Sequence, residues 1–252
     1  MKTRYANILM TVAIPLAGLL LVVAAASCSK QPGDESAEPP ASKAAEVATT
    51  AVAPAAVNAQ RIINADQEPG NWMSHGRSYD EQRFSPLKAI NDGNADRLGL
   101  SWYFDIPTKR GMQATPLMID GVLYVSGSWS MVYAFNAATG ELLWQYDPQV
   151  PREKLLELCC DAINRGVAAW DGKIFVGTLD GRLVALNAVD GSVAWQAQTT
   201  PEGSAYSIPG APRIIKGKVI MGNGGSAFGV RGSVSAFDAA TGAMAWRFYT
   251  VS

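Results

Sequence analysis

Three stretches of this chain repeat one another: Phe135-Asn-Ala-Ala-Thr-Gly-Glu-Leu-Leu-Trp144, Leu186-Asn-Ala-Val-Asp-Gly-Ser-Val-Ala-Trp195 and Phe237-Asp-Ala-Ala-Thr-Gly-Ala-Met-Ala-Trp246. The tryptophans are evenly spaced, since 195 minus 144 and 246 minus 195 both give 51. A period of about 40–50 residues is that of a propeller blade, roughly four antiparallel strands long. Inside each unit an Asn/Asp-Ala-x-x-Gly turn joins two alternating strands, as in Val132–Phe135 and Leu142–Tyr146. A second hairpin precedes it, at Asp120-Gly121, Asp171-Gly172 and Lys216-Gly217. The repeat predicts an all-β propeller in which each tryptophan packs between blades and each glycine turns the chain.

The third unit breaks the pattern. Hairpin glycine to turn glycine is 19 residues in the first two units (121 to 140, 172 to 191) but 25 in the third (217 to 242). The extra residues lie in Gly222-Asn-Gly-Gly-Ser-Ala-Phe-Gly-Val-Arg-Gly232. A glycine-rich loop of this kind lets backbone approach a ligand and offers N–H donors to an anion.

A second departure is Cys159-Cys160, followed by Asn164-Arg165-Gly166. Neighbouring Cα atoms across a trans peptide are about 3.8 Å apart, whereas disulfides prefer roughly 4.4–6.8 Å. A bond within the pair is therefore strained. The only other cysteine is Cys28, which is expected to be consumed as a lipid anchor, so in an oxidising compartment the pair bonds to itself or to another molecule. The plain alternative is two reduced, buried thiols.

The beginning of the chain bears on that compartment. Lys2 and Arg4 precede an apolar run from Ala6 to Ala26, the order of a secretory signal. Ala25-Ala26-Ser27-Cys28 is similar to a bacterial lipoprotein cleavage site, which makes Cys28 a candidate lipidation residue and residues 1–28 a removable leader. A retained signal anchor is the alternative, the run being long enough to span a bilayer but interrupted by Pro15. Residues 29–57 are rich in Ala, Pro, Glu, Ser and Lys, with almost nothing large and apolar. Such a segment reads as a disordered tether with no buried role. The propeller is expected over residues 58–252, with a short helical turn at Asn94–Leu98 and a strand at Leu100–Phe104.

Composition excludes other chemistry. With 21 basic and 22 acidic residues the net charge is -1, without the cationic excess that nucleic-acid binding relies on. His75 is the only histidine, so neither a His-based zinc site nor a Cys-x-x-Cys-His haem attachment can be built from these residues.

Cys159-Cys160 with Asn164-Arg165-Gly166, together with the glycine-rich loop, resembles the methanol/ethanol family of pyrroloquinoline quinone (PQQ) dehydrogenases. In that family a vicinal disulfide lies flat on the quinone and the arginine reaches its polar rim. The resemblance implies a disulfide between Cys159 and Cys160, with Arg165 as a PQQ contact. Gly111-Met112-Gln113-Ala114-Thr115-Pro116 matches a run in which the family carries a PQQ-contacting glutamate, here Gln113. Ser207 matches a hydroxyl that meets a PQQ carboxylate, and Gly224, Gly225 and Ser226 match backbone donors to another. At the next position the family has a calcium-ligating glutamate and this chain has Ala227. Calcium affinity follows the number of charged oxygen ligands, so calcium binding is expected to be weak or absent.

The family propeller has eight blades, and residues 58–252 account for under half of that ring. The family's catalytic aspartate, calcium-binding asparagine and stacking tryptophan lie beyond Ser252, so no catalytic residue is expected here. The resemblance implies the N-terminal part of a periplasmic quinoprotein alcohol dehydrogenase. It would convert an alcohol to an aldehyde, pass electrons to a cytochrome c, and be held to the membrane through a lipid or signal anchor. The alternative is a lipid-anchored propeller scaffold that binds protein partners, a role for which the cysteine pair and Arg165 have no use.

Overall fold

The computed structural model describes residues 54–252. The expected leader, Cys28 and most of the expected tether lie outside them. The exception is residues 54–57. Ala55 and Val57 are fully buried, and their carbonyls accept hydrogen bonds from Gly172 N (3.0 Å) and Asp171 N (2.9 Å). The tether expected to run to residue 57 thus ends earlier, because two small side chains and two hydrogen bonds suffice to dock this segment on a hairpin turn. Helix α1, Ala59–Ile63, comes next, with the Asn58 side chain accepting from Arg61 N at 3.0 Å as its N-cap.

Three four-stranded antiparallel sheets succeed one another in chain order. The first is β1 (Leu117–Ile119), β2 (Val122–Ser126), β3 (Val132–Asn136) and β4 (Leu142–Tyr146). The second is β5 (Ala168–Trp170), β6 (Lys173–Gly177), β7 (Arg182–Asn187) and β8 (Val193–Gln198). The third is β9 (Arg213–Ile215), β10 (Lys218–Gly222), β11 (Ser233–Asp238) and β12 (Met244–Tyr249). The all-β blade architecture read from the repeat is the one observed. A register shift recurs in each blade, at Ala134/Phe135, Ala185/Leu186 and Ala236/Phe237. The repeat therefore copies even the bulge.

Each β1–β2 type hairpin turns through two residues with positive φ: Asp120 and Gly121 (52°, 83°), Asp171 and Gly172 (47°, 71°), Lys216 and Gly217 (49°, 70°). This is the type I′ pattern, whose twist matches that of the strands. Blade contacts repeat just as strictly. The indole N–H of Trp144 donates to Ala188 O (3.0 Å) and that of Trp195 to Ala239 O (3.2 Å), each ring lying over the turn glycine of the next blade. A Cβ on Gly191 would come within 2.6 Å of Trp144, and one on Gly242 within 2.7 Å of Trp195. Tyr124, Ile174, Val176, Val184 and Leu186 fill the seam beneath Trp144.

A third docking tryptophan precedes the repeat. Trp102 donates to Ala137 O at 3.0 Å and covers Gly140 as Trp144 covers Gly191. The expected strand Leu100–Phe104 does not form. No described strand lies beside it to pair with, and the segment is held by side chains, the Trp102 indole and the Phe104 ring, whose centroid is 4.9 Å from that of Phe135. The short turn at residues 95–97 is present.

Candidate functional site

The connection from β4 to β5 carries the cysteine pair onto one end of the propeller. Cys159 and Cys160 are disulfide-bonded, with Cα atoms 3.8 Å apart, and both are exposed. The buried-thiol alternative is overturned. Val150, Ala162 and Leu179 form a small apolar cluster behind them, with Leu155, Leu158 and Trp129 packed against it. The sulfurs therefore present a face to solvent from a firm base.

Asn164 fixes the path of the chain beyond the disulfide. It is 1% exposed and uses all its hydrogen-bonding capacity. Its Oδ1 accepts from Ser126 Oγ (2.6 Å) and Gly166 N (3.0 Å). Its Nδ2 donates to Ser130 Oγ (3.1 Å) and Gly177 O (2.9 Å). Arg165 is stapled on both sides by backbone, its N–H donating to Pro209 O (2.9 Å) and its carbonyl accepting from Thr115 N (3.2 Å). Segments leading into all three blades are thereby laced together beneath one side chain. The guanidinium itself is exposed and forms no ion pair among the described residues.

Ser207 is buried and pairs with Gly224 through backbone bonds in both directions, Gly224 N to Ser207 O at 2.7 Å and Ser207 N to Gly224 O at 3.4 Å. The Gly224 N–H, expected as a donor to a ligand carboxylate, is thus taken up inside the protein. Gly225 and Ser226 keep theirs, neither N–H donating to a described residue. Gly225 has φ 111°, and a Cβ there would meet Ala205 O at 2.5 Å. Only glycine fits such a position.

Cys159, Cys160, Arg165, Ser207, Gly224 and Gly225 line one shallow pocket. Gln113 and Ser226 do not line it. Gln113 is exposed and tied to the site only through Thr115, two residues on, which bridges to Gly166. Ser226 begins the short 3-10 turn Ser226–Phe228 beside Gly225.

Of the residues not singled out from sequence, Asp161 lines the pocket and others stand behind it. Asp161, at φ 73°, accepts from Ala162 N at 2.8 Å and pairs with Arg110. Trp129 lies under two guanidiniums, Arg110 at 5.4 Å and Arg152 at 4.3 Å from the ring centroid. Asp161 stood within the motif, but its partner is 51 positions away and nothing in the sequence joins them.

The donors present suit a flat polyanion. A rigid apolar face, an unpaired guanidinium and the open N–H of Gly225 converge, with the open N–H of Ser226 next along the chain, and Arg can meet a carboxylate bidentately. They do not suit calcium, which takes roughly 6–8 oxygen ligands. The side chain of Ala227 has no donor atom, Asp161 is already engaged, and no group of three or more His, Cys, Asp or Glu stands together among the described residues.

Residues 72–252 match the family model described as PQQ: glucose/ethanol/alcohol dehydrogenase, β-propeller domain. Quinohemoprotein alcohol dehydrogenase ADH-IIG of Pseudomonas putida is 56% identical over 199 residues, 79% of this chain and 28% of that protein. Its solved structure superposes with a TM-score of 0.79, covering 80% of this chain and 30% of that one. The 1-butanol dehydrogenase (cytochrome c) of Thauera butanivorans is 51% identical over 170 residues, 67% of this chain and 25% of that protein. The chain thus spans between a quarter and a third of the length of these relatives.

Proposed function

The chain belongs to the PQQ glucose/ethanol/alcohol dehydrogenase β-propeller family, and from that premise we propose that it forms the cofactor-facing N-terminal part of a PQQ-dependent alcohol dehydrogenase. The reaction is oxidation of an alcohol to an aldehyde, with electrons leaving to a cytochrome c. The names of the Pseudomonas and Thauera relatives support that class. The leader-like pattern of residues 1–28 supports a periplasmic site, tethered through lipid on Cys28 or through an uncleaved anchor.

PQQ, when bound, supplies the two-electron acceptor that the polypeptide lacks. The residues of this chain hold and orient it. The Cys159–Cys160 face is a hard plate for one side of the planar ring. Arg165 offsets carboxylate charge at the rim, and the N–H groups of Gly225 and Ser226 receive another carboxylate. Ser207, buried at the pocket wall, offers a hydroxyl. No residue here is assigned a proton-transfer step.

The observation that carries this reading is the convergence of the exposed cysteine plate and the unpaired Arg165 in one pocket. A partner-binding scaffold would leave both without a role. The test is titration of PQQ into the intact protein that carries this chain, monitored by quenching of tryptophan fluorescence. Saturable one-to-one uptake, weakened at least tenfold by Arg165→Ala, is expected. No uptake at micromolar protein overturns the proposal.

A further inference from the structure

We propose that the quinone pocket of this chain holds its ligand without calcium. The inference rests on the reading of the pocket as a PQQ site and goes beyond it by specifying how the ligand's charge is balanced.

The balance of charge in the pocket points this way. Gly225 leads into the turn Ser226–Phe228, and Ala227 there is exposed with only a methyl group to offer. Gln113 is a neutral amide outside the pocket lining. The carboxylate that does line the pocket, Asp161, is held by Arg110 and by the N–H of Ala162. Turning it toward a metal would break that ion pair and leave Arg110 without its counter-ion. The remaining unbalanced charge is the Arg165 guanidinium, which is positive. Among the described residues the pocket thus offers a free cation and no free carboxylate, a charge pattern that disfavours a divalent metal and attracts a polyanion directly. With neutral side chains at Gln113 and Ala227, the neutralising is left to Arg165 and the loop N–H groups.

The test uses the intact protein and PQQ itself. PQQ is titrated in millimolar CaCl2 and, separately, after dialysis against EDTA, and the metal content of the PQQ-loaded protein is measured by atomic emission. Dissociation constants within about twofold of each other, with calcium far below one equivalent, are expected. The double variant Gln113→Glu, Ala227→Glu is then expected to gain calcium dependence, its PQQ affinity rising at least tenfold when calcium is added. PQQ uptake only in calcium, or one equivalent of calcium retained by the unaltered protein, overturns the inference while leaving the PQQ site intact. Failure to bind PQQ in either buffer overturns both.

Discussion

Asn164 accepts the Ser126 hydroxyl at 2.6 Å across the seam between the first two blades, and this bond sets where Arg165 stands. The amide also holds Ser130, Gly177 O and Gly166 N. Replacing it with Ala leaves several buried polar groups unpaired at once, each costing about 1–3 kcal/mol. Asn164→Ala is expected to destabilise the domain by on the order of 3 kcal/mol in urea unfolding. Asn164→Asp keeps the acceptor but sets a carboxylate oxygen against Gly177 O, so it should recover little of that loss.

The seam glycines separate two costs that usually come together. Gly191 (φ 72°) faces Trp144 at 2.6 Å from an added Cβ, while Gly121 (φ 83°) has nothing within 4 Å. Gly121→Ala should cost only the left-handed backbone term, about 1 kcal/mol. Gly191→Ala carries the same term and must also push the indole off Ala188 O, so it should lose clearly more, roughly 3 kcal/mol. Equal midpoints for the two variants in thermal unfolding would contradict the docking role of Trp144.

The blades were legible in the sequence because their determinants are local. Asp120-Gly121 specifies its own turn, and a tryptophan 51 residues from another reports the same packing place. Trp102 carries the identical indole-to-carbonyl bond, yet it stands 42 residues before Trp144 (144 minus 102) on a segment with no strand, so periodicity passes over it. The pocket was legible as residue types but not as bonding. No sequence shows that Gly224 commits its N–H to Ser207, or that Asp161 is closed by Arg110. Residues 54–57 look like tether by composition, and only the hairpin they touch makes them part of the core.

Lys216 occupies a position that the other two blades fill with aspartate. At φ 49° it is the first residue of a type I′ turn, where Asn and Asp are preferred because they tolerate left-handed backbone. Its side chain is exposed and takes no part in the tryptophan docking between blades. Lys216→Asn is expected to stabilise the domain by on the order of 0.5 kcal/mol, seen as a raised urea midpoint with an unchanged slope.

His75 gives the domain an acid-sensitive fastening. Its Nδ1 is buried without a hydrogen-bond partner, and it lines a cavity shared with Glu81, Tyr79 and Arg213. Burial holds the imidazole below its ordinary pKa, and the guanidiniums of Arg213 and Arg83 press in the same direction against the opposing pull of Glu81. Glu81 is itself held low, chiefly by its bond to Arg213. A histidine with a depressed folded pKa contributes stability that is fully present above about 6.5, its unfolded value, and is lost as pH falls toward the folded value. The glutamate contributes in the same sense, but only below about 4.5. Between about pH 6.5 and 5 the decline should therefore belong to His75. In His75→Gln, which keeps a polar group but cannot ionise, urea stability measured across that interval should be flat where that of the unaltered protein falls. An identical slope in both proteins would remove His75 as its source.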